Sequence, residues 1–481
     1  MAYLEGERKG WWERIKESRA VAAVNEECGS IYCLFFFTIL FLLTSCFGLE
    51  LICYTVCWLF AVYLLLFSRE LYPLMGIIPL LYYTPSVVNN PGRNPESVFF
   101  PENGLIYIII LMATFVALFI ARTVTDVRSG AVKLTFPKLT VGFVLLGAAY
   151  LLGGIGYEEY DFRSPAFGAL EILSICLCYF LFALLMDWKN VPKDYFAWML
   201  FCGGVLISAE VLWIFADGRG VLNGELNKAD IFTGWGISNN IGAAIAMMMP
   251  GCGYLAAGKK HGWLFLLAES AMFGAVVLTL SRTAIAVGLF VFLFSAAAAI
   301  VKAKGRRKIG LSVVTAALCA GGITLAALYP EQVFSIFRDL LHFEEAGAGR
   351  LEIYQNGWQL FREHPVFGTG FYSCSAYKWG MADSFIPGRW HNTIVQILAS
   401  CGTVGIIAYL VHRAQTLWLL FRRLNFEKLM IALSVAALLL TSLLDCHFFN
   451  IGPGLLYSVL LCFAEKRCNG ESKNDHDQGV V

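Results

Sequence analysis

Apolar runs of about twenty residues follow one another through this chain, and all but the last, 451–464, which is short for a span, have about the length a helix needs to cross a hydrocarbon core of roughly 30 Å. From Ile31 to Phe67 nearly every residue is apolar. One helix of that length would reach roughly 55 Å, so the stretch divides, and Gly48 to Glu50 is the natural break. Further runs lie at 71–88, 104–121, 139–155, 166–187, 195–215, 239–257, 262–280, 283–301, 309–328, 392–411, 429–446 and 451–464. The expected fold is an all-α polytopic membrane protein of about 14 transmembrane helices. A hydrophobic fraction of 58% and a mean hydropathy of +0.65 exclude an ordinary soluble domain. The net charge of +1, with no basic stripe, points away from nucleic acid.

Lysine and arginine in the short loops set the orientation. With the N-terminus in the cytoplasm, about 26 of the 36 basic residues fall inside, among them Arg122, Lys189, Lys259, the run Lys302 to Lys308, Arg413 and Arg422. Residues 1–30 then form a charged cytoplasmic segment, with an interfacial helix anchored by Trp11 and Trp12, and no cleavage site marks a signal peptide. Residues 31–328 hold the first eleven spans, 329–391 a long extracytoplasmic loop, 392–464 the last three spans and 465–481 a cytoplasmic tail. Most of the 15 cysteines sit inside apolar runs and read as small core residues. Cys374 alone lies clearly in an outside loop, so no outside pair is available for a bridge, and no Cys/His spacing suits a metal.

The polar residues that remain collect on the outer face. Within the long loop, Glu331 to Phe343 reads as an amphipathic helix on the membrane surface. After Ala346-Gly347-Ala348-Gly349, Arg350 opens a second helix with an apolar stripe of Leu351, Tyr354, Trp358 and Phe361, ended by His364-Pro365. At such an opening the free N–H groups and the dipole favour an anion, although pairing of Arg350 with Glu344 or Glu345 would serve structure alone. Arg282, in Leu280-Ser281-Arg282-Thr283 between two runs of span length, reads either as a snorkelling arginine of a tight hairpin or as an anion clamp held on two helices. His391 stands where the chain re-enters the membrane, two residues after Arg389 and beside Asn392. There a neutral imidazole could take a proton from a hydroxyl. His364 and His342 are alternatives, His364 looking more like a helix stop. Arg219, Glu225, Lys228 and Asp230 belong to the outer loop at 216–238.

Ser238-Asn239-Asn240 before an Ala/Met-rich span ending at Pro250, then Ser281-Arg282-Thr283-Ala284, Gly349-Arg350-Leu351, Glu363-His364-Pro365-Val366-Phe367-Gly368-Thr369-Gly370, His391-Asn392-Thr393-Ile394 and Gly402-Thr403-Val404-Gly405 stand in that order. The set, over about residues 235–412, resembles the bacterial O-antigen ligase and polymerase family. The resemblance implies a membrane glycosyltransferase without metal or other cofactor, acting at the outer face of the plasma membrane. Its donor is an undecaprenyl-diphosphate-linked glycan and its acceptor a glycan, lipid or protein. It implies functional roles for Arg282, Arg350 and His391, and we place Arg389, Arg219, Asn239, Asn240 and Asn392 around them as substrate-binding residues. The N-terminal half carries no matching motif.

Chemistry supports the same reading independently of the family. A transferase outside the cell has no nucleotide sugars and must draw on a lipid carrier. A polyprenyl diphosphate leaves well once its developing charge is stabilised, which two arginines supply, and direct attack at the anomeric carbon inverts it. No acidic cluster in the outer loops suits Mg²⁺ or Mn²⁺, Glu225 and Asp230 reading as loop solvation. The competing reading is a glycolipid flippase or transporter, for which Glu171, Glu210 and Glu269 would be the ionisable residues within the membrane.

Overall fold

The computed structural model describes residues 15, 18–47, 49–68, 70–81, 104–130, 136–158, 160, 163–186, 188–222, 225–226, 228, 231–233, 236–331, 343–371 and 389–466. Helices follow one another as α1 (Arg19–Cys28), α2 (Ile31–Phe47), α3 (Glu50–Phe67), α4 (Pro73–Leu81), α5 (Gly104–Arg128), α6 (Thr140–Leu152), α7 (Arg163–Leu185) and α8 (Tyr195–Ala216). Two short antiparallel ribbons come next, β1 (Val221–Leu222) with β2 (Glu225–Leu226) and β3 (Phe232–Thr233) with β4 (Gly236–Ile237). Then follow α9 (Ser238–Met248), α10 (Pro250–Gly258), α11 (Gly262–Leu278), α12 (Arg282–Lys302), α13 (Arg306–Leu328), α14 (Phe343–Glu363), α15 (Thr393–Phe421), α16 (Phe426–Thr441) and α17 (Ile451–Lys466).

Each expected apolar run overlaps a helix among the described residues, and the stretch from Ile31 to Phe67 does break between Phe47 and Glu50. The chain is an all-α membrane protein. Five helical stretches among the described residues are long and apolar enough to cross a bilayer: Tyr195–Ala216, Ser238–Gly258, Arg282–Lys302, Arg306–Leu328 and Thr393–Phe421. A sixth appears if α1 and α2, bent by 65°, count as one. Ile52–Phe67, Thr140–Leu152, Glu171–Leu185, Gly262–Leu278 and Ile451–Glu465 are apolar but shorter, at 10–17 described residues each. Trp11 and Trp12, the expected surface helix over 331–343 apart from its first and last residues, and Cys374 lie outside the described residues.

Burial separates these stretches by what their side chains allow. Of the most apolar window of Ser238–Gly258, 89% is buried, against 6% for Arg306–Leu328 at the periphery. The first can be central because its small residues admit neighbouring backbones. A Cβ at Gly242 would stand 2.6 Å from that of Ala284, and one at Gly251 would stand 2.7 Å from the Ala197 carbonyl.

One helix corrects its expected end. The run taken to stop at 411 continues as α15 to Phe421, and Arg413, assigned to an inner turn, is buried within it. Its guanidinium lies 4.2 Å from the ring centre of Phe448 and 4.6 Å from that of Tyr409, and donates to the Tyr457 hydroxyl at 2.8 Å. Aromatic faces and one hydroxyl thus hold a cation that the positive-inside pattern assigned to water.

α15 is itself broken at Gly402, whose φ of 60° and ψ of −150° are not helical. A break strands backbone groups, and within a bilayer protein must satisfy them. Residues 365–370 do so. Thr369 and Gly370 N–H donate to the Ala399 and Ser400 carbonyls at 2.9 Å each, while Thr403 and Val404 N–H donate to those of Pro365 and Val366 at 2.8 and 3.2 Å. Gly368-Thr369-Gly370, a turn by its sequence, is therefore the backbone plug of a broken helix. Gly368 (φ 63°) and Gly402 must be glycine, since a Cβ on either would stand 2.5 Å or less from backbone of the opposite segment. We expect Gly368→Ala and Gly402→Ala each to cost at least about 2 kcal/mol, seen as a lower thermal midpoint in detergent. Gly274→Ala, in a regular helix with open space around it, should be neutral or slightly stabilising.

Candidate active site

α16 ends at Thr441, and the nine residues before α17 turn back as a loop rather than completing the expected span to 446. Ser442 fixes that loop: its carbonyl accepts the Thr393 N–H at 3.1 Å and its hydroxyl the Phe448 N–H at 3.0 Å. Asp445 projects from it and is 7% exposed. Its carboxylate gathers the Cys446 N–H at 2.8 Å, His391 Nδ1 at 3.3 Å and Asn239 Nδ2 at 3.3 Å, with His447 Nε2 3.8 Å away. Burial alone would raise this carboxyl. The charges of His447 and His391, the His391 hydrogen bond and the Cys446 N–H outweigh burial and hold it well below the usual carboxylate range.

Local backbone geometry presents His391 to that carboxylate. His391 has a φ of 48°, a strained conformation for a side chain with a Cβ, and Asn392 follows as N-cap of α15. The Asn392 side chain accepts from Ile394 and Val395 N–H at 2.8 and 3.1 Å and donates to the Leu443 carbonyl at 2.8 Å. On the other side, Tyr354 donates to the His391 carbonyl at 3.0 Å, and Trp390 N–H donates to Gln396 at 3.1 Å. An Nδ1–H directed at Asp445 leaves Nε2 as the basic nitrogen, so the carboxylate selects the tautomer.

α14 brings Arg350 to the same place, though not as expected. The helix begins at Phe343 and runs through Gly347 and Gly349, so Arg350 lies inside it and not at its opening. Each glycine costs about 1 kcal/mol relative to alanine, and tertiary packing carries the helix through them. The packed face is also different: Ile353 and Leu360 lie against Trp390, while Leu351 and Trp358 are exposed. Arg350 and Tyr354, four residues apart, share a side of the helix. Arg350 donates to the Leu444 carbonyl at 3.0 Å, next to Asp445.

Arg282 is the residue that does open a helix, α12, behind Leu280 at a φ of 54° and a Ser281 whose side chain makes no cap bond. Lys228 joins these cations from the loop before β3. It is exposed, yet the protein around it and the repulsion of Arg350 and Arg282 push its ammonium below the ordinary lysine value, with Asp445 acting the other way. Lys228 thus lies within electrostatic reach of Arg350, Arg282 and Asp445.

The remaining expected residues divide. Asn239 reaches Asp445, whereas Asn240 packs under Gly236 of the β3–β4 ribbon. Asn392 spends its side chain on the cap and on the Leu443 carbonyl. Arg389 is bound to Asn450 and to the buried Glu171 at 3.5 Å, which ties the chain just before His391 to α7. Arg219 pairs with Asp217 at 2.7 Å, and no described contact brings it to Asp445. His364 lies against Tyr157 with ring centres 5.1 Å apart, and His342 lies outside the described residues. Among the described residues no three His, Cys, Asp or Glu side chains are placed to hold a metal ion. Sequence reasoning missed Asp445 and gave Lys228 no role. The available signal was an acidic residue two positions before His447 at the end of an apolar run.

Asp445→Ala would strand buried donors from three segments, and we expect a loss of about 3 kcal/mol or more. Asp217→Ala, which breaks a half-exposed pair, should cost at most about 1 kcal/mol. Thermal midpoints of the two detergent-solubilised variants check the difference.

No curated protein matches the chain. Residues 267–410 match the family model described as O-antigen ligase, a segment that includes Arg282, Arg350, Arg389 and His391 and stops short of Asp445. Over that segment, about three tenths of the chain, the protein is similar to the O-antigen ligase family.

Proposed function

We propose that this protein is a metal-independent, inverting glycosyltransferase. It moves a glycan from an undecaprenyl-diphosphate carrier to an acceptor hydroxyl at the outer face of the bacterial plasma membrane. The observation that carries the proposal is the His391–Asp445 pair with Arg350 bonded to the carbonyl next to Asp445, and Lys228 within electrostatic reach of Arg350, Arg282 and Asp445. A base with a fixed tautomer and a concentration of positive charge are the two things such a transfer requires.

In this reading Arg282 and Arg350 hold the diphosphate, with Lys228 as a third cation. The acceptor hydroxyl gives its proton to His391 Nε2 as its oxygen attacks the anomeric carbon from the face opposite the leaving group. A new C–O bond forms there, the bond to the diphosphate breaks, and its electron pair stays on the departing phosphate oxygen, where the cations offset the charge. Asp445 stabilises the imidazolium that results and keeps its ring oriented. One carboxylate and three cations leave the site net positive, which suits an anionic donor.

The carrier reading loses one of its candidate residues here. Glu171 is committed to Arg389 and so supports the approach to His391. Glu210 and Glu269 remain buried in α8 and α11 without a described link to the site.

Transfer in proteoliposomes loaded with a polyprenyl-diphosphate glycan tests the proposal. We expect His391→Ala to lower turnover by about 10²–10⁴-fold. Arg282→Ala and Arg350→Ala should each lower it by about 10²–10³-fold. EDTA should leave the rate unchanged. Near wild-type turnover in the three variants removes the site, and loss of activity in EDTA removes metal independence.

A further inference from the structure

Three elements that build the site at one end meet again at the other. α9 opens with Asn239 beside Asp445 and continues through α10 to Gly258; α12 runs from Arg282 to Lys302; α16 runs from Phe426 to Thr441, shortly before Asp445. The 21 residues of α12 alone span about 30 Å, the thickness of a hydrocarbon core. The far ends of these helices therefore lie at the membrane surface opposite the site.

A cavity of about 370 Å³ lies there, lined by Tyr254, Lys302, Ala303, Lys304, Arg307 and Phe426, with the end of α10 closing it. That is space for about a dozen waters. None of its lining residues is acidic. Arg307 uses one nitrogen, Nη1, on the Ala257 and Gly258 carbonyls at 2.7 and 3.0 Å, which removes the negative end of α10 from the cavity's electrostatics. Lys302 Nζ stands 5.9 Å from the ring centre of Phe426, and that ring stacks on Tyr254 with centres 5.5 Å apart. Lys304 is exposed, Ala303 is buried, and Arg306 and Lys308 add positive charge beside them. Glu427 follows Phe426 in the first turn of α16 but is not part of the lining. Cations at the mouth, an aromatic wall and a small apolar floor match a phosphate group carried on a partly apolar body.

We propose that this cavity binds a phosphate-bearing anion, either the diester of an anionic phospholipid headgroup or soluble phosphate. The site is separate from the glycan-transfer reading and stands without it.

Purified full-length protein in detergent is equilibrated with phosphatidylglycerol or phosphatidylcholine and read by native mass spectrometry, and separately with inorganic phosphate and read by thermal shift. We expect phosphatidylglycerol to be retained over phosphatidylcholine. Lys302→Gln with Lys304→Gln should weaken that retention about thirtyfold, from roughly fivefold per lysine. Lys302→Arg with Lys304→Arg keeps the charge and should restore it, which separates lost charge from misfolding. Lipid preference assigns the headgroup as the source. A phosphate-dependent shift without lipid preference, abolished in the glutamine variant and present in the arginine variant, assigns soluble phosphate. Equal retention of both lipids with no phosphate shift, or binding untouched by the glutamine variant, overturns the site.

Discussion

A single buried carboxylate holds the candidate site together. Asp445 takes hydrogen bonds from the head of α15 through His391, from the head of α9 through Asn239 and from its own loop through the Cys446 N–H. A nearly dry carboxylate without partners would be costly, so each of the three segments is held in place by the charge it compensates. The arrangement orients His391 and also draws Arg350 in, because the carbonyl that Arg350 binds belongs to Leu444, the residue before Asp445. The atoms that hold these segments together are the ones the proposed chemistry would use.

The break in α15 makes that geometry attainable. A straight helix from Thr393 to Phe421 would have to carry His391 along its own axis. With Gly402 out of helical conformation, the short leading piece follows its own direction, and residues 365–370 take up the four backbone groups the break exposes. Those residues follow directly from α14, so the helix bearing Arg350 and the helix headed by His391 are locked by backbone bonds as well as by the Tyr354 hydroxyl. Backbone accounting inside a membrane thus positions two candidate site residues at once.

Much of this was legible before any coordinates. Crossing a bilayer demands a minimum apolar length, so the runs print themselves in the sequence, and polar residues at their ends, such as Arg282, Arg350 and His391, stand out. What failed did so for identifiable reasons. Ala346-Gly347-Ala348-Gly349 reads as a loop because glycine is a poor helix former, yet packing of Ile353 and Leu360 on Trp390 carries the helix back to Phe343. Arg413 follows a long apolar run and so reads as a surface cation, because nothing local announces that Tyr409, Phe448 and Tyr457 will surround it. Asp445 follows Leu443 and Leu444 and passes for the ragged end of a span. Its importance comes from partners about 50 and 200 positions away in sequence.

The central claim is that Asp445 acts on the reaction through His391, and a double-mutant cycle on the transfer rate tests it directly. Residues that work as one unit are not additive. The account predicts that Asp445→Asn slows transfer in the wild-type background and adds almost nothing to His391→Ala. If the two losses multiply in the double variant, the pair does not work as one unit, and the account is contradicted.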